Sequence, residues 1–254
     1  MILRRAWAAA GLLVALTGNA ADGLARTETE GRELAQRLLE QRPAENFTNS
    51  GVLKIRDSKG RRIEIPVRFE TRATPTNWQA VYFASGTNRS EQVTLAVLHE
   101  ERQPNVYCLA TAPATGPPTN EAVRLTGAQA MIPFAGSDFW LADLGLEFLH
   151  WPMQRMIKKE IKRGQSCYVL ESRSPVPDGG YARVVSWLDI DSARDAGQAA
   201  IVQAEAYDAK GKLLKEFEPK GVRKVKGQWQ LEAMAIRNVQ TGSRTRLEFA
   251  FEPE

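Results

Sequence analysis

Alternating apolar residues, turns at hairpin spacing and two isolated helical stretches give this chain the pattern of a mainly β domain with helices, an α+β fold. Its strands follow one another closely enough to form one antiparallel sheet, long enough to curl. The clearest alternation sets Ile63, Ile65, Val67 and Phe69 against Arg62, Glu64, Arg68 and Glu70. A period of two puts one face in a core and the other in water. The clearest hairpin turn is Asp208-Ala209-Lys210-Gly211-Lys212, set between two strand patterns. No internal boundary or repeat interrupts the series.

The first element stands apart from the fold. Arg4 and Arg5 precede an apolar stretch over 6–16, and small residues follow, with cleavage expected after Ala20, Ala21 or Ala25. That is the pattern of a secretory signal over 1–25, too short for a comfortable membrane span. It leaves a single domain, 26–254, of about 230 residues, enough for a sizeable core. No cysteine lies near the cleavage region, so no lipid anchor is expected there. An exported, soluble protein follows.

A first helix is predicted over 27–42, capped by Thr27 or Thr29, with Leu34, Leu38 and Leu39 as its apolar stripe and Pro43 as its stop. Strands are predicted over 52–56, 63–69, 78–84 and 92–99. The turns between them are Asp57-Ser58-Lys59-Gly60, Thr74-Pro75-Thr76-Asn77 and Ser85-Gly86-Thr87-Asn88. The stretch 112–120 carries three prolines and a glycine and reads as a loop. A second helix is predicted after Phe134-Ala135-Gly136. Ser137 or Asp138 would cap it, Phe139, Trp140, Leu141, Leu144, Leu146, Phe148 and Leu149 would fill it, and Pro152 would stop it. From Met153 onward the pattern is a meander. It opens on a basic strand flanked by Ile157 and Ile161 and turned by Arg163-Gly164-Gln165, followed by strands 167–171, 181–189, 201–207, 213–225 turning at Lys226-Gly227, one in which Trp229, Leu231, Ala233 and Ala235 alternate, and a last one from Thr245 to Phe251.

Composition excludes several functions. The net charge is +4, and two of those charges are Arg4 and Arg5. The remaining Lys and Arg are spread through strands, apart from Lys158-Lys159 with Lys162-Arg163 and the run 220–226. No patch interleaved with stacking aromatics marks a nucleic-acid surface, so these charges read as solvated strand faces. His99 and His150 are the two histidines, far apart in sequence and without zinc-ligand spacing. His99, beside Glu100-Glu101, reads as a solvated turn. No Gly-x-Ser-x-Gly elbow, phosphate loop or dinucleotide fingerprint occurs, so neither catalytic residues, a metal nor a cofactor is expected. Asp189-Ile190-Asp191 with Asp195 lacks the central Gly and terminal Glu of a calcium loop. Cys108 and Cys167 are a candidate disulfide in an oxidising compartment, worth roughly 4 kcal/mol in the chain-entropy model. The alternative is two buried, unpaired thiols on different strands.

The surplus of large apolar groups around the mid-chain helix has two readings. Either the helix plugs the core of a curved sheet, or it lines a cavity against the concave face. The string Phe134-x-Gly136-Ser137-Asp138-Phe139, with Asp143-Leu144 behind it, resembles the signature of bacterial outer-membrane lipoprotein-sorting proteins, of the LolA/LolB-like superfamily. Further hallmarks follow in order: Cys167 to Glu171, Tyr181 to Asp189 with Trp187, Tyr207-Asp208-x-x-Gly211-Lys212-Leu213-Leu214-Lys215, Trp229, and the tail from Asn238 to Thr245. Where the family usually has a Trp-x-Tyr-x-Pro-like strand, this chain has Val106-Tyr107-Cys108-Leu109 and the Pro-rich stretch.

The resemblance implies an incomplete, strongly curved antiparallel β-barrel, with an N-terminal helix and a mid-chain helix covering its mouth. It implies a periplasmic, monomeric carrier of lipoprotein acyl chains or other lipids, without catalysis. Its partners would be those lipids and transport proteins of the inner or outer membrane. The apolar cavity is then expected between Phe139, Trp140, Leu144 and Phe148 on the lid and Phe69, Tyr82, Trp187, Trp229 and Met234 on the sheet. The competing expectation is an envelope interaction module that binds a protein or glycan through its sheet, with a packed interior. A hydrolase would need a nucleophile and base constellation that the sequence lacks.

Overall fold

A computed structural model describes residues 18–43, 45–87, 91–113, 122–191, 200–225 and 228–250. Most of the expected leader, the prolines at 117–118, Asp195, the Lys226-Gly227 turn and Phe251 lie outside these residues. So do the side chains of residues 18–22 and of Trp229.

The backbone is one antiparallel sheet carrying a helix and a folded mid-chain segment. The first half runs as a meander: β1 (Phe47–Arg56), β2 (Arg62–Ala73), β3 (Asn77–Ser85), β4 (Glu91–Glu100), β5 (Val106–Pro113) and β6 (Val123–Thr126). The second half is another: β7 (Met153–Lys162), β8 (Gln165–Arg173), β9 (Arg183–Asp189), β10 (Ile201–Tyr207) and β11 (Leu213–Pro219). β14 (Ala233–Asn238) and β15 (Arg244–Phe249) join the halves, β15 pairing with β1 and β14 with β11. The resulting order is β6-β5-β4-β3-β2-β1-β15-β14-β11-β10-β9-β8-β7, thirteen strands among the described residues. The ends, β6 and β7, do not pair, so the sheet is not closed into a barrel.

The predicted strands 213–225 and that of Trp229 to Ala235 are each split. At Gly221 φ is +114°, a left-handed value that breaks the pleat. Beyond it β12 (Val222–Val225) and β13 (Gln228–Leu231) form a separate two-stranded ribbon.

Alternation sorts the side chains as predicted for 63–69. Ile65 and Val67 are buried, as are Leu53 and Ile55 on β1 and Val93, Leu95 and Val97 on β4. The outer face carries cross-strand charges. Lys54 meets Glu248 at 2.6 Å, and Glu171 gathers Arg155, Arg173 and Arg183 within 3.3 Å. The basic residues are thus largely paired along strands, where each exposed pair adds little stability.

The inner face holds two core clusters. One spans β1–β5, β14 and β15 and receives Phe134, Phe139, Leu141 and Ala142 from the mid-chain segment. The other lies on β8–β10 and receives Phe148, Leu149 and Trp151 from the same segment, with Leu34 and Ala35 from the N-terminal helix. The mid-chain segment therefore bridges both halves of the sheet.

That N-terminal helix, α1 (Gly18–Leu39), starts earlier than predicted, within the expected cleavage region, and ends three residues sooner. It lies against the backbone of β7. A Cβ on Gly31 would stand 2.6 Å from the Cα and N of Arg155.

The mid-chain segment is not the continuous helix predicted. Its α-helix, α2 (Leu141–Leu144), is a single turn, followed by a 3-10 turn over Glu147–His150. Trp140 is extended, at φ −84° and ψ 159°, because it forms a β-bridge with Pro133. Leu146 is left-handed at φ 49°, which ends the α-helix.

The candidate disulfide is not formed, and both thiols are free. Tyr107 on β5 and Leu170 on β8 point into the cores. Alternation therefore turns Cys108, next to Tyr107, and Cys167, an odd three residues from Leu170, to the other face, on strands second from opposite ends of the sheet.

Gly31→Ala should cost about 1–3 kcal/mol through overpacking of α1 on β7. The midpoint of urea unfolding would report it.

Candidate functional site

The mid-chain segment lies over the inner face as a lid, and one turn of helix cannot hold its own shape. Polar ties from the sheet do so. The Asp138 carboxylate accepts hydrogen bonds from Thr245 Oγ1 at 2.8 Å and Ser243 Oγ at 2.5 Å, and the Asp138 N–H donates to Thr245 Oγ1 at 2.9 Å. Asp138 is therefore spent on β15, not on capping a helix. Ser137 Oγ accepts the Phe139 N–H at 3.2 Å, within the loop.

Capping falls to Asp143. Its carboxylate accepts the Trp140 N–H at 2.7 Å and the Tyr181 hydroxyl at 2.9 Å. Lys215, on β11 and only 3% exposed, reaches the same carboxylate at 3.4 Å and donates to the Asp138 carbonyl at 2.7 Å. Its ammonium also lies 3.7 Å from the centroid of the Trp140 ring, which stacks on Tyr181 at 4.5 Å. Burial lowers the Lys215 pKa, and the Asp143 and Asp138 charges oppose that shift. Burial and Asp143 hold the Tyr181 phenol well above its ordinary value. This is a buried latch joining lid, β11 and the loop before β9.

A second buried group ties the lid to β5. Asn105 Nδ2 donates to the Gly145 carbonyl at 2.6 Å, and the Tyr107 hydroxyl donates to Glu147 Oε2 at 2.9 Å. Glu147 is 3% exposed and has no ion pair among the described residues. Burial pushes its pKa up to about 7, against the hydrogen bonds from Tyr107 and Asn105. His99 is not a solvated turn: it stacks on Trp78 at 3.8 Å. Burial, with the nearby His150 charge, pushes its pKa down to about 4. Burial does the same to His150, whose Nε2 is enclosed without a hydrogen-bond partner.

Above Glu147 and His150 lies a cavity of about 560 Å³. Its walls come from the β4–β5 loop (Gln103, Pro104), edge strand β6 (Arg124, Thr126), Met131, the entry to β7 (Trp151, Pro152) and the β8–β9 loop (Pro175, Val176). It thus spans from one edge strand to the approach of the other.

None of the predicted lining residues whose side chains are described lines this cavity, and the Trp229 side chain lies outside the described residues. Phe139, Tyr82 and Met234 are buried in the first core, with Phe69 and Leu144 packed against it. Phe148 is in the second core, with Trp140 against it. The space directly beneath the lid, beside Phe148, Asp143 and Lys215, amounts to about 20 Å³. Trp187 is on the other face of the sheet, clustered with Cys167, Val169 and Val185. Its indole N–H donates to Glu160, and Lys162 lies 3.8 Å over its ring. β9 is apolar on both faces, so its composition cannot reveal which way Trp187 points. Sequence reasoning missed Asn105, Tyr107 and Glu147, which carry no local motif.

Lys215→Met would leave Asp143 buried without its cation and should cost about 3–5 kcal/mol. Combined with Asp143→Leu, the loss should fall short of the sum of the two single losses, as a urea-unfolding double-mutant cycle would register. The buried acid and imidazoles act oppositely with pH. Glu147, ordinarily 4.5, titrates near 7 when folded, so its contribution to stability declines as pH rises across that interval. His99 and His150, ordinarily 6.5, titrate near 4, so theirs declines as pH falls from 6.5 to 4. Thermal melts across pH should show Glu147→Gln gaining relative to the parent above pH 7, and His150→Gln losing less than the parent below pH 6.

Known proteins share this architecture. A DUF1329 family protein from Desulfovibrio piger superposes with a TM-score of 0.69 at 18% identity, over 88% of this chain and 91% of its own. A protein described as an outer membrane lipoprotein-sorting protein domain, from Vibrio parahaemolyticus, gives 0.69 at 20% identity, over 88% and 92%. A LolA superfamily protein from Nitrosomonas europaea gives 0.56 at 15%, over 89% and 92%. At these identities the shared property is the fold. No curated protein matches the sequence. A family model described as "Uncharacterized protein" matches residues 79–251. With the fold of the LolA-like sorting domains, the chain belongs to the family that this model defines.

Proposed function

We propose that the protein is a periplasmic carrier for lipoprotein acyl chains or other lipids and performs no chemistry. The observation that supports this most is the cavity of about 560 Å³ across the unclosed side of a LolA-like sheet. It falls within the usual size range of small-molecule sites, ~300–1,000 Å³. Val106, Met131, Trp151 and Val176 offer apolar wall, where each buried methylene contributes about 0.8 kcal/mol. The polar groups at floor and rim suit a head group, so an amphiphile fits better than a wholly apolar guest. A leader over 1–25 would deliver the chain to the periplasm, where donor and acceptor would be transport proteins of the two membranes. A longer chain could pass beneath the lid only if the Lys215–Asp143 latch opened and freed Phe139 and Phe148.

One observation favours a second reading. The space under the lid is filled, as expected of an interaction module that binds protein or glycan through its sheet. The two readings differ in lipid uptake. Delipidated protein should take up a fluorescent acylated peptide or a fluorescent neutral lipid. Val176→Trp, on the exposed wall of the cavity, should weaken uptake about 10-fold, or ~1.4 kcal/mol, without lowering the melting temperature. Uptake of neither probe would sink the carrier reading and leave the interaction module.

A further inference from the structure

We infer that the cavity takes a ligand with a protonated amine, held by the Glu147 carboxylate as counter-ion. Glu147 lines the cavity floor, is almost fully buried and has no cation paired to it among the described residues. The Tyr107 hydroxyl and Asn105 donate to this carboxylate. A carboxylate has about four acceptor sites, so about half of its capacity is unspent. A buried carboxylate without a counter-charge is costly, and a ligand cation offsets that cost where an anion would add to it. His150, three residues on in the same 3-10 turn, also lines the cavity, and burial keeps it neutral, so it sets no positive charge against an ammonium. An ammonium has three N–H donors to offer the free acceptor sites of Glu147. Trp151 and Tyr181, also in the wall, add aromatic surface of the kind that attracts organic cations.

The other charged or titratable groups around Glu147 do not supply the missing cation. Tyr107 from β5 and Asn105 are neutral donors, and His99 from β4 is kept neutral by burial. Arg124 and Glu100 stand in the cavity wall with opposite charges. The ligand class is an alkylammonium amphiphile. Its apolar tail rests on the carrier reading, but its head does not.

Titration calorimetry at pH 8 with decylammonium, decanol, decanoate and butylammonium separates the two. Decylammonium should bind about 10-fold more tightly than decanol, with decanoate weakest. Glu147→Gln should erase the advantage over decanol while decanol binding persists. Should that variant fail to fold, the parent at pH 5.5 provides the same comparison, because Glu147 is protonated there and the preference should shrink. Equal binding of decanoate and decylammonium, or an unchanged preference in Glu147→Gln, would overturn the amine assignment and leave the carrier reading standing. Binding of the two amines without decanol would sustain the amine site and overturn the carrier reading. Binding of none would overturn both.

Discussion

The Asp143 carboxylate is the charge on which the arrangement of the lid depends. It takes an N–H from the start of α2, a hydroxyl from the loop before β9 and an ammonium from β11. The lid cannot order itself, since a single helical turn repays too little of its nucleation cost. Lys215 could not remain buried without an acceptor, and Tyr181 would otherwise hide an unsatisfied hydroxyl. Each partner makes the burial of the others tolerable, so the group is held as a unit.

The lid also solves a problem of scale. A sheet this wide has more inner face than one short segment can cover. The chain sends Phe134 to Ala142 into one half and Phe148 to Trp151 into the other, with the polar turn at Gly145 between them. α1 completes the second half with Leu34 and Ala35. Where these elements run out, between the β4–β5 loop, β6 and the β8–β9 loop, the cavity remains. Its floor is polar because Glu147 precedes the second packed stretch and His150 interrupts it, both in the 3-10 turn.

How much of this was legible in the sequence follows from the range of each interaction. Ile65 and Val67 are placed by a period of two that needs no partner, and the turn at Asp208 to Lys212 is written in five residues. The lid was legible as a greasy segment but not as a shape. Ser137 and Asp138 are good caps by composition, yet Asp138 finds its partners more than a hundred residues away, on β15 and the turn before it. Trp140 sits among helix-compatible neighbours but is held extended by Pro133. Val184 and Val185, like Trp187 and Leu188, fill both faces of β9, which removes the parity signal. Asp138, Asp143, Tyr181, Lys215, Ser243 and Thr245 all fall inside the family-like strings, but only folding shows that they converge. The cavity, built from turns and loop ends, has no periodic signature at all.

The two free ends of the sheet are not equivalent. α1 crosses the backbone of β7 at Gly31, so close that a methyl group would not fit, while β6 presents Val123 at 57% exposure. Endless growth of a sheet by stacking molecules side by side requires an open strand at both ends of every subunit. Here one end is backed by the chain's own helix. Side-by-side joining at that end would have to accommodate α1 as well as the strand, whereas at β6 it would meet an exposed valine, so the helix that completes the core also makes the two ends unlike as partners.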